Sequence, residues 1–263
     1  MVVYAITGAS RGIGFGYAKK LLESSNDGAV IALVRDLSGA KELSDLKSKY
    51  GDRLAIVKHD VSSEDSAKEA AKQVEQLGIA KNGVDVLINN AGVNVGGPKT
   101  VLDDGLGQDL QANLDVNLFG QIYTTTAFLR LLRKGNKKQI WFLSTGLASI
   151  GFDFGFGPGI AAYSISKTAL NMYARKLSDV LKGEGFKTLL LSPGYVVTDM
   201  NGGNGAITVE QAAEDAQVAA LTTCFATLTN LSLHVIHRSY KLFSKEDLED
   251  LTFYSNEGTV IPW

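Results

Sequence analysis

Apolar and polar positions alternate along the chain in blocks. Six short apolar runs stand out, at residues 2–7, 29–34, 54–59, 84–89, 140–144 and 188–192. Each is continuous and rich in Val, Ile or Leu, as strands buried on both faces are. A last strand is expected near residues 252–255. Between the runs lie helix-length segments with apolar residues three or four apart. Leu43, Leu46 and Tyr50 mark one, and Ala67, Ala70, Ala71, Val74 and Leu77 mark another. Helix starts are expected at Ser62…Asp65, Thr208…Gln211 and Ser244…Asp247, where a hydroxyl can accept from a free backbone N–H. Strands alternating with helices predict an α/β fold: one doubly wound parallel sheet of about seven strands, with helices on both faces.

Bulk properties narrow this picture. A chain of 263 residues is long for one domain but ordinary for a single open α/β sheet, and no repeat or linker divides residues 1–263. The formal charge of −2 leaves no basic excess to hold a phosphate backbone, which argues against nucleic acid as a partner. No apolar run approaches the roughly 18 residues a membrane span needs, so stable membrane insertion is not expected. No secretory signal precedes the first strand. The one cysteine, Cys224, reads as a small buried hydrophobe, and a cytoplasmic, reducing location is expected.

The first chemical signal is Thr7-Gly8-Ala9-Ser10-Arg11-Gly12-Ile13-Gly14, set between the first strand and the first helix. Glycine permits the tight turn and lets backbone approach a pyrophosphate, while the helix start points free N–H groups at its charge. Position then decides which dinucleotide. An NAD site usually has an acidic residue at the end of the second strand; here Val34 stands there, followed by Arg35, with Arg11 in the glycine loop. Two guanidiniums suit a 2′-phosphate, so NADP(H) is the expected cofactor. An inward-turned Asp36 would oppose this.

The motifs from residue 7 to 14, Asp60, Asn89-Asn90-Ala91-Gly92, Asn117, Tyr163-x-x-x-Lys167 and Pro193-Gly194 occur in one order along the chain. In that order the sequence resembles the short-chain dehydrogenase/reductase family over nearly its whole length. The stretch from Pro193 to Met200 and the closing Gly258-Thr259-Val260-Ile261-Pro262-Trp263 resemble its C-factor/sniffer-like carbonyl reductase branch, which includes fungal norsolorinic acid ketoreductase. The resemblance implies a single Rossmann-type domain and a set of roles. Gly8, Ser10, Arg11, Gly12, Ile13 and Gly14 would hold the cofactor with Arg35, Asp60 and Val61 at its adenosine end. Asn90, Ala91 and Gly92 would lie beside it, with Asn90 bracing the central strands. Pro193, Gly194, Val196 and Thr198 would meet the nicotinamide side. A homo-oligomer, dimer or tetramer, is also implied.

Reduction of a ketone takes a hydride from the cofactor and a proton from the protein. Tyr163 is the expected donor. Lys167, four residues on, stands on the same helix face about 6 Å along the axis and is expected to lower the tyrosine pKa from its free value of about 10. Lys167 would also grip the nicotinamide ribose. A further hydroxyl should polarise the carbonyl. Strand-end alignment with the family favours Thr145 at the usual serine position, with Ser144 the alternative. Asn117 resembles the asparagine that interrupts the fourth helix and anchors a water leading to the lysine.

Other features stay open. Phe152, Phe154 and Phe156 alternate before Tyr163 and read either as walls for an apolar or aromatic carbonyl substrate or as core. Asn94, Val95 and Tyr195 are weaker pocket candidates. Residues 217–243 read as an atypical apolar insertion: a lid, an added helix pair, a partner surface or a membrane-touching patch. His234 and His237 lie within it, but no ligand cluster accompanies them and no metal is expected. The function read from all this is NADPH-dependent carbonyl reduction. The alternatives are an NADP-dependent alcohol dehydrogenase running in the oxidative direction and a non-catalytic NADP-sensing protein.

Overall fold

The computed structural model describes residues 1–24, 26–151, 155, 157–221, 253–254 and 261–262. The strands are β1 (Val2–Thr7), β2 (Gly28–Val34), β3 (Leu54–Lys58), β4 (Val86–Asn89), β5 (Gln139–Leu143), β6 (Lys187–Leu191) and β7 (Phe253–Tyr254). They form one parallel sheet in the order β3-β2-β1-β4-β5-β6-β7. Six are of ordinary length, and the last is a two-residue edge pairing with Leu190 and Leu191. Strand β4 starts two residues later than its apolar run. The N–H of Val84 goes to Leu131 O, and the Asp85 carboxylate accepts from the backbone of Val3 at 2.8 Å and Asn136 at 2.7 Å. These bonds tie β4 to its neighbours before its regular ladder begins.

Strand alternation sorts the core into two layers. Tyr4, Ile6, Val30, Ala32 and Val34 pack with Tyr17, Leu21 and Leu22 of α1 (Gly12–Ser24) and Leu43 and Leu46 of α2 (Lys41–Tyr50); Ala213 of α7 (Val209–Leu221) joins them. Val3, Ala5, Ile31 and Leu33 point the other way, toward α3 (Glu64–Glu75), α5 (Gly120–Lys134) and α6 (Ala161–Leu181). Ala70, Val74, Phe128, Leu132, Leu170 and Ala174 meet them there. Both strand faces are therefore buried, which is why the runs are continuous rather than alternating. Each fully buried Leu, Ile or Phe contributes roughly 1.5–3 kcal/mol, so two such layers need no staple.

Helix α4 (Leu106–Leu114) runs without a break into a five-residue π-helical stretch, Asp115–Phe119, and on into α5. Helix α3 begins one residue later than expected. Ser63, not Ser62, caps it by accepting from the Ser66 N–H at 3.2 Å. Ser62 instead gives its N–H and hydroxyl to Asp60 Oδ1, at 3.0 and 2.7 Å, the local turn that a short carboxylate favours. Thr208 caps α7 as expected, accepting from Gln211 N–H at 3.2 Å. Ser244, Asp247, Phe152, Phe154, Phe156, Cys224, His234, His237 and residues 222–243 lie outside the described residues, while 217–221 belong to α7. No helix among the described residues is long and apolar enough to cross a membrane.

Strand order reverses between β1 and β4. In an open α/β sheet the ligand crevice lies at this switch point, outside the carboxyl ends of the strands.

Candidate active site

The glycine loop leaves β1 at this crevice. Gly8 and Gly12 take left-handed backbone, φ 64° and 55°, which other residues rarely adopt. Gly14 has no room for a side chain: a Cβ would lie 2.5 Å from both Asn90 Nδ2 and Gly8 O. Asn90 thus braces the loop, donating from Nδ2 to Thr7 O at 2.7 Å. The buried Thr7 hydroxyl accepts in return from the backbone N–H groups of Asn90 and Ala91, at 2.9 and 3.0 Å. Ser10 stands in this turn, and the first turn of α1 presents the N–H groups of Gly12, Ile13 and Gly14, which a helix start leaves without intrahelical acceptors.

At the far end of β2, Val34 is buried and Arg35 is exposed. Asp36 is not turned inward; its Oδ1 accepts from the N–H and hydroxyl of Ser38, at 2.9 and 2.7 Å. Asp60 lies near Arg35. Burial raises its carboxyl, but the Ser62 donors, Arg35 and His59 outweigh that and hold it below its ordinary value. Val61 is buried behind it, its carbonyl filling the space a side chain at Gly120 would need. Arg11 is placed differently from Arg35. Its guanidinium meets Asp199 at 3.2 Å, on the loop after β6. That loop is folded on itself: Val196 bridges to Ile207, Asn201 Nδ2 donates to Val196 O at 2.8 Å, and the Thr198 N–H goes to Asn201 Oδ1 at 3.1 Å. Pro193 and Gly194, φ 84°, lead into it, and Thr198 comes within 3.7 Å of where a Gly12 Cβ would stand.

The catalytic candidates converge at the ends of β5 and α6. Thr145 lies beside Tyr163, near enough for its hydroxyl to act on the phenol. Ser144 points elsewhere: it is buried and donates to Asn171 Oδ1 at 2.6 Å. Lys167 is 4% exposed, gives its ammonium to Leu143 O at 2.8 Å, and lies 5.9 Å from the centre of the Tyr163 ring. The expected lowering of the tyrosine pKa by the lysine is not what the chain's own groups produce. Burial of the phenol pushes it up to about 12, opposed by the Thr145 hydroxyl, and burial pushes Lys167 down to about 8. In a desolvated pair without an anion nearby, each group favours its neutral form.

Asn117 sits in the π-helical stretch, fully buried. Its Oδ1 accepts from Val93 N–H, and its Nδ2 donates to Val93 O and to Ser166 Oγ, at 2.9, 2.9 and 3.0 Å. Gly92 passes between Asn117 and the lysine; a Cβ there would lie 3.2 Å from Asn117 Oδ1 and 3.4 Å from Lys167 Nζ. Two neighbours escaped the sequence reading. Asn113 Nδ2 donates to Val95 O at 2.9 Å while its Oδ1 accepts from Val95 N–H at 3.3 Å, and Gln121 Nε2 donates to Ala91 O at 2.8 Å. The signal was present, since amides at 113, 117 and 121 share one helix face. Of the weaker pocket candidates, Val95 and Tyr195 are exposed and Asn94 is half-buried. Among the described residues no group of three His, Cys, Asp or Glu could hold a metal ion.

A doubly wound sheet whose switch point carries a glycine loop and a Tyr–Lys helix defines a dinucleotide-binding oxidoreductase. The chain belongs to the short chain dehydrogenase family, which it matches over residues 2–207. It is 39% identical to a short-chain dehydrogenase/reductase of Arthrinium sp. over 209 residues, 76% of each chain. Among solved structures it resembles NADPH-bound carbonyl reductase from chicken fatty liver, with a TM-score of 0.80 and 29% identity over 100% of both chains. The carbonyl reductase Sniffer of D. melanogaster is similar at a TM-score of 0.79 and 25% identity, covering 100% of this chain and 99% of that one.

Proposed function

We propose that the protein is an NADPH-dependent carbonyl reductase acting on a ketone or aldehyde. The observation that carries this reading is the convergence of Thr145, Tyr163 and a buried Lys167, whose ammonium lies 5.9 Å from the centre of the Tyr163 ring. Two hydroxyls side by side can both reach one carbonyl oxygen, Tyr163 as proton donor and Thr145 as the polarising partner. Burial favours this direction, because a phenol pushed up to about 12 holds its proton at neutral pH. Lys167, near 8, is charged below that pH and can return a proton to the tyrosine. Asn117 orients the backbone of Val93 and the Ser166 hydroxyl beside it. Ser144 then serves the fold by fixing Asn171.

The residues present fit a nicotinamide dinucleotide. The N–H groups at the start of α1 and the hydroxyl of Ser10 would take the pyrophosphate, Asp60 and Val61 the adenine, and Ala91, Gly92 and the loop from Pro193 to Thr198 the nicotinamide half. Arg35, beside Asp60 and with no acid at Val34, supports a 2′-phosphate, as does the NADPH bound by the chicken enzyme. Bound there, NADPH supplies the hydride. An apolar or aromatic substrate accords with the exposed Val95 and Tyr195 and with the phenylalanines at 152, 154 and 156. The reading includes a cytoplasmic location and a homo-oligomer; exposed Phe119, Ile165 and Met172 on adjoining helices support the latter.

The test is oxidation of NADPH, beside NADH, with a panel of aromatic ketones and diketones. Tyr163→Phe is expected to bind NADPH normally and lose turnover by about 10²–10⁴-fold. Wild-type rates in that variant would sink the mechanism, and a preference for NADH would sink the cofactor assignment.

A further inference from the structure

We propose that Asn113 and Gln121 are positioning residues that set the two ends of the active-site floor separately, Gln121 at the cofactor end and Asn113 at the substrate end. The assignment rests on the carbonyl reductase reading above.

Asn113, Asn117 and Gln121 stand four residues apart on one uninterrupted helical run. Four helical residues advance about 6 Å, and two residues of extended chain advance about 6.6 Å. A row of amides with this spacing can therefore grip every second residue of an extended segment. The partners follow that register: Gln121 holds Ala91, Asn117 holds Val93 and Asn113 holds Val95. All three amides are fully buried. An aliphatic side chain would fill the same volume, but it could not fix a backbone group in place.

The gripped segment changes neighbours along its length. It begins against the glycine loop, where a Cβ on Gly8 would lie 3.1 Å from Ala91 Cα. It passes Lys167 at Gly92. It ends at Val95, beyond which Lys99 pairs with Asp109 at 2.7 Å and gives its carbonyl to the N–H of Ala161 at 3.1 Å, two residues before Tyr163. Gln121 therefore bears on the part beside the cofactor loop, and Asn113 on the part that leads to the tyrosine helix. Gln121 commits its Nε2 to Ala91 O and Val116 O, although its Oε1 has no partner among the described residues. Asn113 binds at both ends, its Nδ2 also donating to Asp109 O at 2.7 Å, so it fixes Val95 to the helix turn that carries the Lys99 ion pair.

The experiment compares Gln121→Ala and Asn113→Ala in the full chain, reading Kd for NADPH by fluorescence titration and KM for one ketone that the wild type reduces. Gln121→Ala is expected to raise Kd about tenfold with KM held within about twofold, and Asn113→Ala to do the reverse. Loss of stability alone would not produce that crossed pattern. Parallel shifts of both constants in both variants, or no shift in either, overturn the proposal. Should an alanine variant fail to melt cooperatively, Gln121→Met and Asn113→Leu keep the volume but remove the donor, and the same crossed pattern decides. A wild-type protein that binds NADPH yet reduces no carbonyl overturns the reductase reading and the Asn113 half with it. The Gln121 half is still decided by Kd.

Discussion

The two ends of the crevice are held by opposite means. At the glycine loop the device is the missing side chain: a Cβ would come within 2.5 Å of Asn90 and Gly8 at Gly14, and within 2.5 Å of Val209 at Gly16. At the catalytic end the device is the buried polar side chain, with Asn113, Asn117, Ser144, Ser166, Lys167 and Asn171 all inside. Close approach of backbone tolerates no added atom. A directional hold tolerates no lost donor, because its partner would be left buried and unpaired. Substitutions that add atoms should therefore damage one end, and those that remove polar atoms the other.

The largest expected effect separates two adjacent hydroxyls. Thr145→Ala removes the hydroxyl beside Tyr163 and should lower kcat by about 10²–10³-fold, as the loss of a transition-state donor does. Ser144→Ala removes only the hold on Asn171 and should cost about 1 kcal/mol of stability with kcat nearly intact. Steady-state kinetics and thermal melts on both variants check this, and equal losses of kcat would mean that polar holding and chemistry cannot be told apart at this end.

His59 probes whether the cofactor end relies on glycines alone. It closes β3 beside Asp60 and is 2% exposed. Its Nε2 bonds Thr124 Oγ1 at 2.8 Å, and Nδ1 has no partner among the described residues. Burial pushes its pKa from 6.5 down to about 4. The folded state thus prefers the neutral ring, and between these values the unfolded chain binds more protons. Stability from this residue is complete above pH 6.5 and is lost as pH falls toward 4, by about 3 kcal/mol. Melting temperature against pH should fall across that window in the wild type and fall less in His59→Gln. Identical slopes would leave the glycines as the whole account.

The same contrast explains what could be read from the chain. The strands were legible because burial on both faces makes them continuous apolar runs, and boundary errors fell where a polar residue such as Asp85 or Ser62 finds an unforeseen partner. Glycine at 8, 12 and 14 announces close approach by identity alone. Tyr163 and Lys167 are legible because both lie on one helix. The choice between Ser144 and Thr145 was not, since neighbouring residues at a strand end face opposite ways and only Asn171 and Tyr163, brought there by the fold, tell them apart. Asn113 and Gln121 were missed for a like reason. The amides' shared helix face is visible in the spacing, but their partners are backbone atoms of a loop, and which loop they grip leaves no mark on sequence.

The smallest effect is also the sharpest for the comparison, because two glycines near helix starts should respond with opposite signs. Alanine exceeds glycine in helix propensity by about 0.8–1.0 kcal/mol in a helix interior, and less near an end. Gly107 of α4 is exposed and has nothing within 4 Å of a new Cβ, so Gly107→Ala should stabilise by some tenths of that unit upward. Gly14 of α1 gains the same propensity, but its new methyl meets Gly8 O at 2.5 Å, a backbone atom that cannot swing aside. Overpacking of this kind costs about 1–3 kcal/mol, which exceeds the gain. Gly14→Ala should therefore destabilise by about 1 kcal/mol. It should weaken NADPH binding further, since relief of the contact has to move the Gly8 turn or Asn90, the groups that shape the loop. Chemical denaturation and NADPH titration of both variants decide it, and a stabilised Gly14→Ala with unchanged affinity would show that the cofactor end is not held by close approach.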